Sequence, residues 1–377
     1  MRRLALRHAG WILVAGCSGG GGPVDDPPAV APGAGFASGT ILVVASEGTD
    51  RSLAVLSLDT ATGEAGILPG SPADLGIAIT DAESLAADPP RRRVFFGSNL
   101  DGRIAVFDLD AAGRVVPAPG SPFLVERPGV GAIQVSPDGA SIYVGYQGGT
   151  ILSRYAVDAM GSLTLAQSIP AGGGSYVETM LLLGDVLYVG FQTSSDIKGF
   201  ELDAQGAFTG TLVADVPTNA RPDYLRALGA TLYCSLATDG SVDAFAIAAD
   251  GSLARLAGAP YRFPGITQFE LIAIEPGGAR IAVGAEKPTA SLGLFTVNGD
   301  GSLAPAGDVF VLHDRKGGPE KLDFSADGRF LYLCDHVGEG LYVLDVVGDT
   351  PRFAAVPRYD LPGRQVDLLR FELPVAP

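Results

Sequence analysis

Three cysteines, three histidines and one tryptophan are all that the 377 residues contain. Each scarcity excludes something. Cys17, Cys234 and Cys334 are too few for a disulfide-stapled scaffold, and no Cys-x-x-Cys pair is present. His8 falls in the N-terminal leader, which leaves His313 and His336, too few to ligate haem or copper, so no cofactor is expected. Positive charge is also short: 26 Lys and Arg stand against 42 Asp and Glu, a formal net charge of −16. Such a chain is a poor partner for nucleic acid or anionic lipid surfaces. There is no Gly-x-Ser-x-Gly elbow and no phosphate loop, and the glycine run at 171–175 is too unspecific to use.

No stretch at the N-terminus is long enough to span a bilayer. Arg2, Arg3 and Arg7 precede and enter a short apolar stretch, residues 4–16. It ends Val14-Ala15-Gly16-Cys17, which resembles the bacterial lipoprotein signal, in which the cysteine is acylated and becomes the first residue. An ordinary secretory signal with a chance cysteine is the alternative. Residues 1–16 are therefore expected to be a signal peptide, and residues 17–39 the lipidated Cys17 with a linker of Gly, Pro, Asp and Ala that cannot form a core. The linker's root-mean-square span is about 25 Å. Acyl chains on Cys17 would supply membrane affinity at about 0.8 kcal/mol per buried methylene. Aspartate does not follow Cys17, which by the sorting rule of enteric bacteria favours the outer membrane. Loss of the three leader arginines takes the formal charge from −16 to −19.

What the chain has in abundance is one repeated unit, strand–turn–strand–loop–strand, seen plainly in residues 320–347 and again in 131–158. Short β-favouring runs are closed at both ends by turn residues such as Asp327-Gly328. Equivalent central positions are Leu42, Phe95, Tyr143, Tyr188, Tyr233, Ala282 and Tyr332, spaced about 45 to 53 residues apart. That period, all strand and turn, belongs to propeller blades; the Gly-His and Trp-Asp pairs of one common subtype are absent. Second strands are expected near 41–45, 94–98, 141–146, 186–191, 231–236, 280–285 and 330–334. Third strands are expected near 53–58, 103–109, 151–157, 197–202, 241–246, 292–297 and 341–346. Aspartate-led, glycine-ended turns follow them, as at 110–113, 158–161 and 203–206. They lack the EF-hand spacing and read as turn chemistry rather than calcium sites. Cys234 and Cys334 lie in non-neighbouring units one register apart, so buried free thiols are expected.

Six first strands precede their second strands, near Leu85, Ile133, Met180, Leu225, Ile272 and Leu322. Unit one has linker in that place, and the missing strand stands at residues 366–373. The expected fold is therefore all-β: a seven-bladed β-propeller of four-stranded blades over residues 40–377, its ring closed by the C-terminal strand. Two places before the aligned residues stand Glu83, Gly131, Glu178, Asp223, Glu270, Glu320 and Asp367, six of them acidic. They should circle one mouth of the central channel. Two such charges 8 Å apart repel by about 2 kcal/mol at an effective dielectric near 20, so the ring needs compensation. Backbone N–H groups of adjacent blades, the cations Lys321, Arg226 and Arg370, or a bound cationic ligand could supply it.

One sector departs from the repeat. The segment 313–319 leads into the seventh unit and carries His313 and Arg315, and Asp335-His336 follows its second strand. His313 and His336 with Glu320 could form an acid–base site or hold a metal, or could be two solvated loop histidines. A catalytic reading uses His336 or Glu320 as base and Arg315 or Lys321 for the oxyanion.

The segments VSPDGASIYVGYQ (135–147) and FSADGRFLYLCDH (324–336), with the DGSL turns at 250–253 and 300–303, resemble the lactonase-type seven-bladed propellers. That family includes bacterial 6-phosphogluconolactonases and surface-layer repeat proteins. Its lactonases typically lead into a blade with Gly-Pro-Arg-His and leave the second strand with Asn-Glu. The matching places here are Gly318-Pro319-Glu320-Lys321 and Asp335-His336. The resemblance implies the propeller fold and a lactonase activity. The residues themselves leave two readings open: a lipid-anchored cell-envelope propeller, expected to be a monomer, that binds a small molecule or protein at the carboxylate ring, and a lactone hydrolase acting outside the cytoplasm. No metal or nucleic acid is expected as a partner.

Overall fold

The computed structural model describes residues 39–377 apart from 48–50, 60, 80–83, 112, 173–174, 288, 314–317, 336, 338–339, 360, 362–363 and 374–377. The leader, Cys17, the linker to residue 38, Glu83, Arg315 and His336 lie outside the described residues. Seven antiparallel sheets are formed, each running from an inner to an outer strand. Blade 1 is ordered Arg364–Leu373, Gly39–Glu47, Ser52–Leu58, Ala65–Ile67. Blades 2 to 7 follow in chain order, with inner strands Ala86–Asp88, Val130–Val135, Val177–Leu183, Pro222–Leu228, Leu271–Ile274 and Pro319–Phe324. Among the described residues no helix is long and apolar enough to cross a membrane.

The C-terminal strand closes the ring as the missing first strand required. Leu369 faces Val43, Leu368 faces Val44 and Asp367 faces Ala45 in an antiparallel ladder. Residues of Gly39–Glu47 then alternate between two cores. Ile41 and Val43 pack with Val94 and Phe96 between blades 1 and 2. Leu42 and Val44 pack with Tyr332 and Val343 between blades 7 and 1. Both faces of each sheet are thus buried, which is why the second strands read as continuous apolar runs rather than as half-polar ones.

The period of the repeat has a physical basis in the contacts between blades. Tyr143, Tyr188 and Tyr233 each donate a hydroxyl, at 2.8 Å, to the carbonyl of a turn glycine in the following blade: Gly206, Gly251 and Gly301. The turns carrying those carbonyls are fixed by their aspartates. Asp203 Oδ1 accepts from the N–H groups of Gln205 and Ala207, Asp250 Oδ1 from that of Ser252 and Asp300 Oδ1 from that of Ser302. Cys234 and Cys334 are buried and free. The outer strands depart from uniform four-strandedness. In blades 1, 2 and 5 the fourth strand is split into two short pieces, both paired with the third strand.

Val366, Leu368, Phe371 and Leu373 are all buried. At about 1.5–3 kcal/mol each they contribute as much as the whole stability of a typical domain. Deletion of residues 364–377 is expected to abolish the cooperative thermal transition and yield aggregates on size-exclusion chromatography. Leu368→Ala alone should cost about 2–5 kcal/mol in denaturant unfolding.

Candidate functional site

The ring acids are aimed by bulges. In blades 3, 4, 5 and 7 the inner strand starts in register with its second strand and then skips one residue, and blade 1 carries a similar irregularity. The skipped residues are Gly131, Glu178, Asp223 and Glu320 in blades 3, 4, 5 and 7, and in blade 1 the irregularity adjoins Asp367. A bulge leaves its residue out of the ladder and turns the side chain away from the sheet face, here to the mouth of the channel. Gly131 interrupts the acidic series for a steric reason: a Cβ there would stand 1.9 Å from the Val177 carbonyl oxygen of the next blade.

Amides, absent from the sequence-level account, stitch the acids together. Gln147 and Gln192 each follow a second strand. Gln147 Nε2 donates to Glu178 Oε1 of the next blade at 3.1 Å. Gln192 Nε2 donates to Glu178 Oε2 in its own blade and to Asp223 Oδ1 in the next at 2.7 Å. Gln268 Nε2 donates to Glu270 Oε1. Their signal was their position just after the second strands, a place where only the seventh unit had drawn notice. Two of the expected sources of compensation operate at Asp367. Its Oδ2 accepts from the Leu85 N–H of the adjacent blade at 2.7 Å, and its Oδ1 lies 3.2 Å from Lys321 Nζ. Arg226 and Arg370 point instead into the channel below the ring, beside Asp323.

These environments raise the proton affinity of three of the carboxylates. Burial raises Asp223 well above the ordinary range, and the charges of Glu178 and Glu270 add to it against Arg221 and Lys321. Burial and the nearby Glu286 push Glu270 up to about 7, against the Gln268 hydrogen bond and the charges of Arg221 and Lys287. Asp367 is raised by burial despite Lys321 and the N–H groups of Leu85 and Leu368. The lining of a cavity of about 410 Å³ includes Glu178, Tyr224 and Lys321, with Lys321 Nζ 4.1 Å from the Tyr224 ring centre.

At the seventh blade the structure brings His313 to Asp335, while His336 lies outside the described residues. His313 Nε2 lies 2.6 Å from Asp335 Oδ2, and Asp335 is fully buried. Asp335 Oδ1 also accepts from the Val337 N–H at 2.8 Å, so the carboxylate is fixed from two sides. Gly318, at φ +138°, makes the approach possible: a Cβ there would stand 2.7 Å from Asp335 Oδ1 and 3.0 Å from His313 Nε2. His313 Nδ1 is buried with no hydrogen-bond partner among the described residues. Glu320 is buried in the ring, and its carbonyl accepts from the Tyr224 hydroxyl at 3.3 Å. Among the described residues no group of three or more His, Cys, Asp or Glu is arranged to hold a metal ion.

The raised carboxylates predict a pH dependence of known sign. Folded Glu270 binds its proton more tightly than the unfolded chain does. The stability this supplies is complete below pH 4.5 and is lost as the pH rises through about 7. Asp223 and Asp367 act in the same direction. The melting temperature should fall between about pH 5 and 8, and Glu270→Gln should reduce that slope. An unchanged slope in the variant would mean that Glu270 titrates normally.

Comparison with known proteins agrees with this architecture. Residues 85–221, blades 2 to 4, match the family model described as lactonase, 7-bladed beta-propeller. A search of curated protein sequences finds no match. Among solved structures, a candidate 6-phosphogluconolactonase from Bacteroides fragilis superposes with a TM-score of 0.74 at 14% identity, covering 89% of this chain and 98% of that one. The periplasmic gluconolactonase of Pseudomonas aeruginosa superposes at 0.73 with 19% identity, covering 89% and 99%. The fold of these proteins is shared over the whole ring: the chain is a seven-bladed β-propeller whose second to fourth blades match the lactonase model.

Proposed function

We propose that this protein is an exported propeller, tethered to the cell envelope through an acylated Cys17, that binds a hydroxyl-rich small molecule at the acidic mouth of its channel. The observation that carries this reading is the run Gln147–Glu178–Gln192–Asp223, drawn from three blades and continuous through hydrogen bonds. Alternating amides and carboxylates offer both donors and acceptors, and the cavity beneath is of ordinary ligand size. Calorimetric titration with D-glucose and D-glucono-1,5-lactone tests the reading. Saturable binding should weaken about tenfold or more in Asp223→Asn, the loss of one charge-assisted hydrogen bond. If neither compound binds, or the variant binds as well, the mouth is structural.

A second reading, lactone hydrolysis, is favoured by the His313–Asp335 pair. Asp335 would hold the Nε2–H tautomer, leaving the Nδ1 lone pair to take a proton as water attacks the ring carbonyl. Lys321, which lines the cavity, would stabilise the oxyanion. His313 is the base in this scheme because it has an oriented carboxylate partner, whereas His336 lies outside the described residues. The periplasmic gluconolactonase of Pseudomonas aeruginosa, similar in fold, supports an exported lactone as substrate. Hydrolysis of glucono-1,5-lactone above the buffer rate should fall about 10²–10⁴-fold in kcat in His313→Ala, with KM little changed. Equal turnover by parent and variant would remove His313 from the chemistry.

A further inference from the structure

Beneath the acidic ring the channel changes character. The residues one place after the aligned inner-strand positions form a second layer: Ala86, Gln134, Leu181, Arg226, Ala273, Asp323 and Arg370. Six of these seven places are lined into one cavity of about 410 Å³ with Lys321 and Tyr224; only Ala273 of blade 6 is not. Such a volume holds on the order of a dozen water molecules. Three cations, Arg226, Lys321 and Arg370, therefore converge on it from blades 5, 7 and 1, in a protein whose net charge is −16.

We propose that this lower layer is a binding site for a small organic anion, its carboxylate or phosphate held between Arg226 and Arg370 with Lys321 above. Burial raises Asp323 above the ordinary carboxylate range and the nearby Arg370 and Arg226 act against that, yet among the described residues neither forms an ion pair with it. Arg226 spends one N–H on the Leu225 carbonyl, at 2.9 Å, and forms no ion pair among the described residues. Arg370 pairs through one η nitrogen with Glu372, which is half exposed, and its ε nitrogen has no partner among the described residues. With its carboxylate half in solvent, that pair is screened and can be exchanged for a ligand oxyanion. Tyr224 holds the arrangement in place: Lys321 Nζ stands 4.1 Å and Arg226 Cζ 5.7 Å from its ring centre. Guanidinium forks match the two oxygens of a carboxylate or phosphate, and Gln134 faces them with a neutral amide.

The site lies beneath the amide–carboxylate run and shares Glu178 with it, but Asp223 of that run does not line the cavity, and the test uses this to keep the two apart. Gluconate and inorganic phosphate are titrated by calorimetry into the purified chain and into Arg226→Gln, Arg370→Gln and Asp223→Asn, with near-ultraviolet dichroism confirming each fold. Saturable gluconate binding is expected, weakened about tenfold or more by either arginine change and retained in Asp223→Asn. Binding of phosphate alone, with the same sensitivity to the arginines, would support the site and assign it to phosphate esters. Absence of binding by both anions, or binding that survives Arg226→Gln combined with Arg370→Gln, would overturn it. Loss in Asp223→Asn with no loss in the arginine variants would also overturn it, since the anion would then sit at the mouth.

Discussion

The pairing of Arg364–Leu373 with Gly39–Glu47 holds the remainder of the molecule in register. A seven-sheet ring has no free edge only while every sheet has an inner strand, and blade 1 obtains its own from the far end of the chain. The two ends are tied beyond the ladder itself. Arg364 lies 2.8 Å from Glu47, and Thr40 donates its hydroxyl to Glu372. Asp367, carried by the closing strand, then accepts the Leu85 N–H of blade 2 and so joins the first and second blades at the channel wall. Closure and site are therefore one construction: the strand that completes the ring also delivers Asp367 to the mouth and Arg370 to the layer beneath.

Crowding of acids at that mouth follows from geometry. Inner strands of all blades converge, so any side chain repeated at the start of each strand is repeated in space as well. Burial raises the cost of ionising such a set, and the protein meets it in three ways: amide bridges at Glu178 and Asp223, an N–H and an ammonium at Asp367, and proton retention at Glu270. Where no acid stands, at Gly131, the next blade's carbonyl occupies the space a side chain would need. The channel is thereby layered, with acids and amides at the rim and guanidinium groups below, so that a polar ligand would meet different chemistry at each depth.

The departures from the family's pattern are concentrated in the seventh blade. Glu320 and Lys321 stand where its lactonases carry Arg and His, and both are absorbed into the ring, Lys321 against Asp367 and Tyr224. His313 precedes the blade and leans on Asp335 beside Gly318. The channel of the fold is retained while the residues at its rim are redistributed, which is how one propeller architecture can serve different ligands.

What the sequence determined by itself was whatever repeats. The spacing from Leu42 to Tyr332, the aspartate-led turns and the unmatched strand at the C-terminus were enough for seven blades and their closure, because each copy confirms the others. The acidic series at the inner strands was legible for the same reason. Only the tertiary structure decided who the acids' partners are. Gln147, Gln192 and Leu85 reach carboxylates in a neighbouring blade or in their own, and Asp335 meets His313 across a segment that no periodicity describes. The split outer strands and the tyrosine hydroxyls that bridge successive blades were likewise settled by packing. A repeat encodes the local unit many times over, but a contact between units depends on the angle at which they meet. That angle is set by the closing of the ring, which no single stretch of the chain contains.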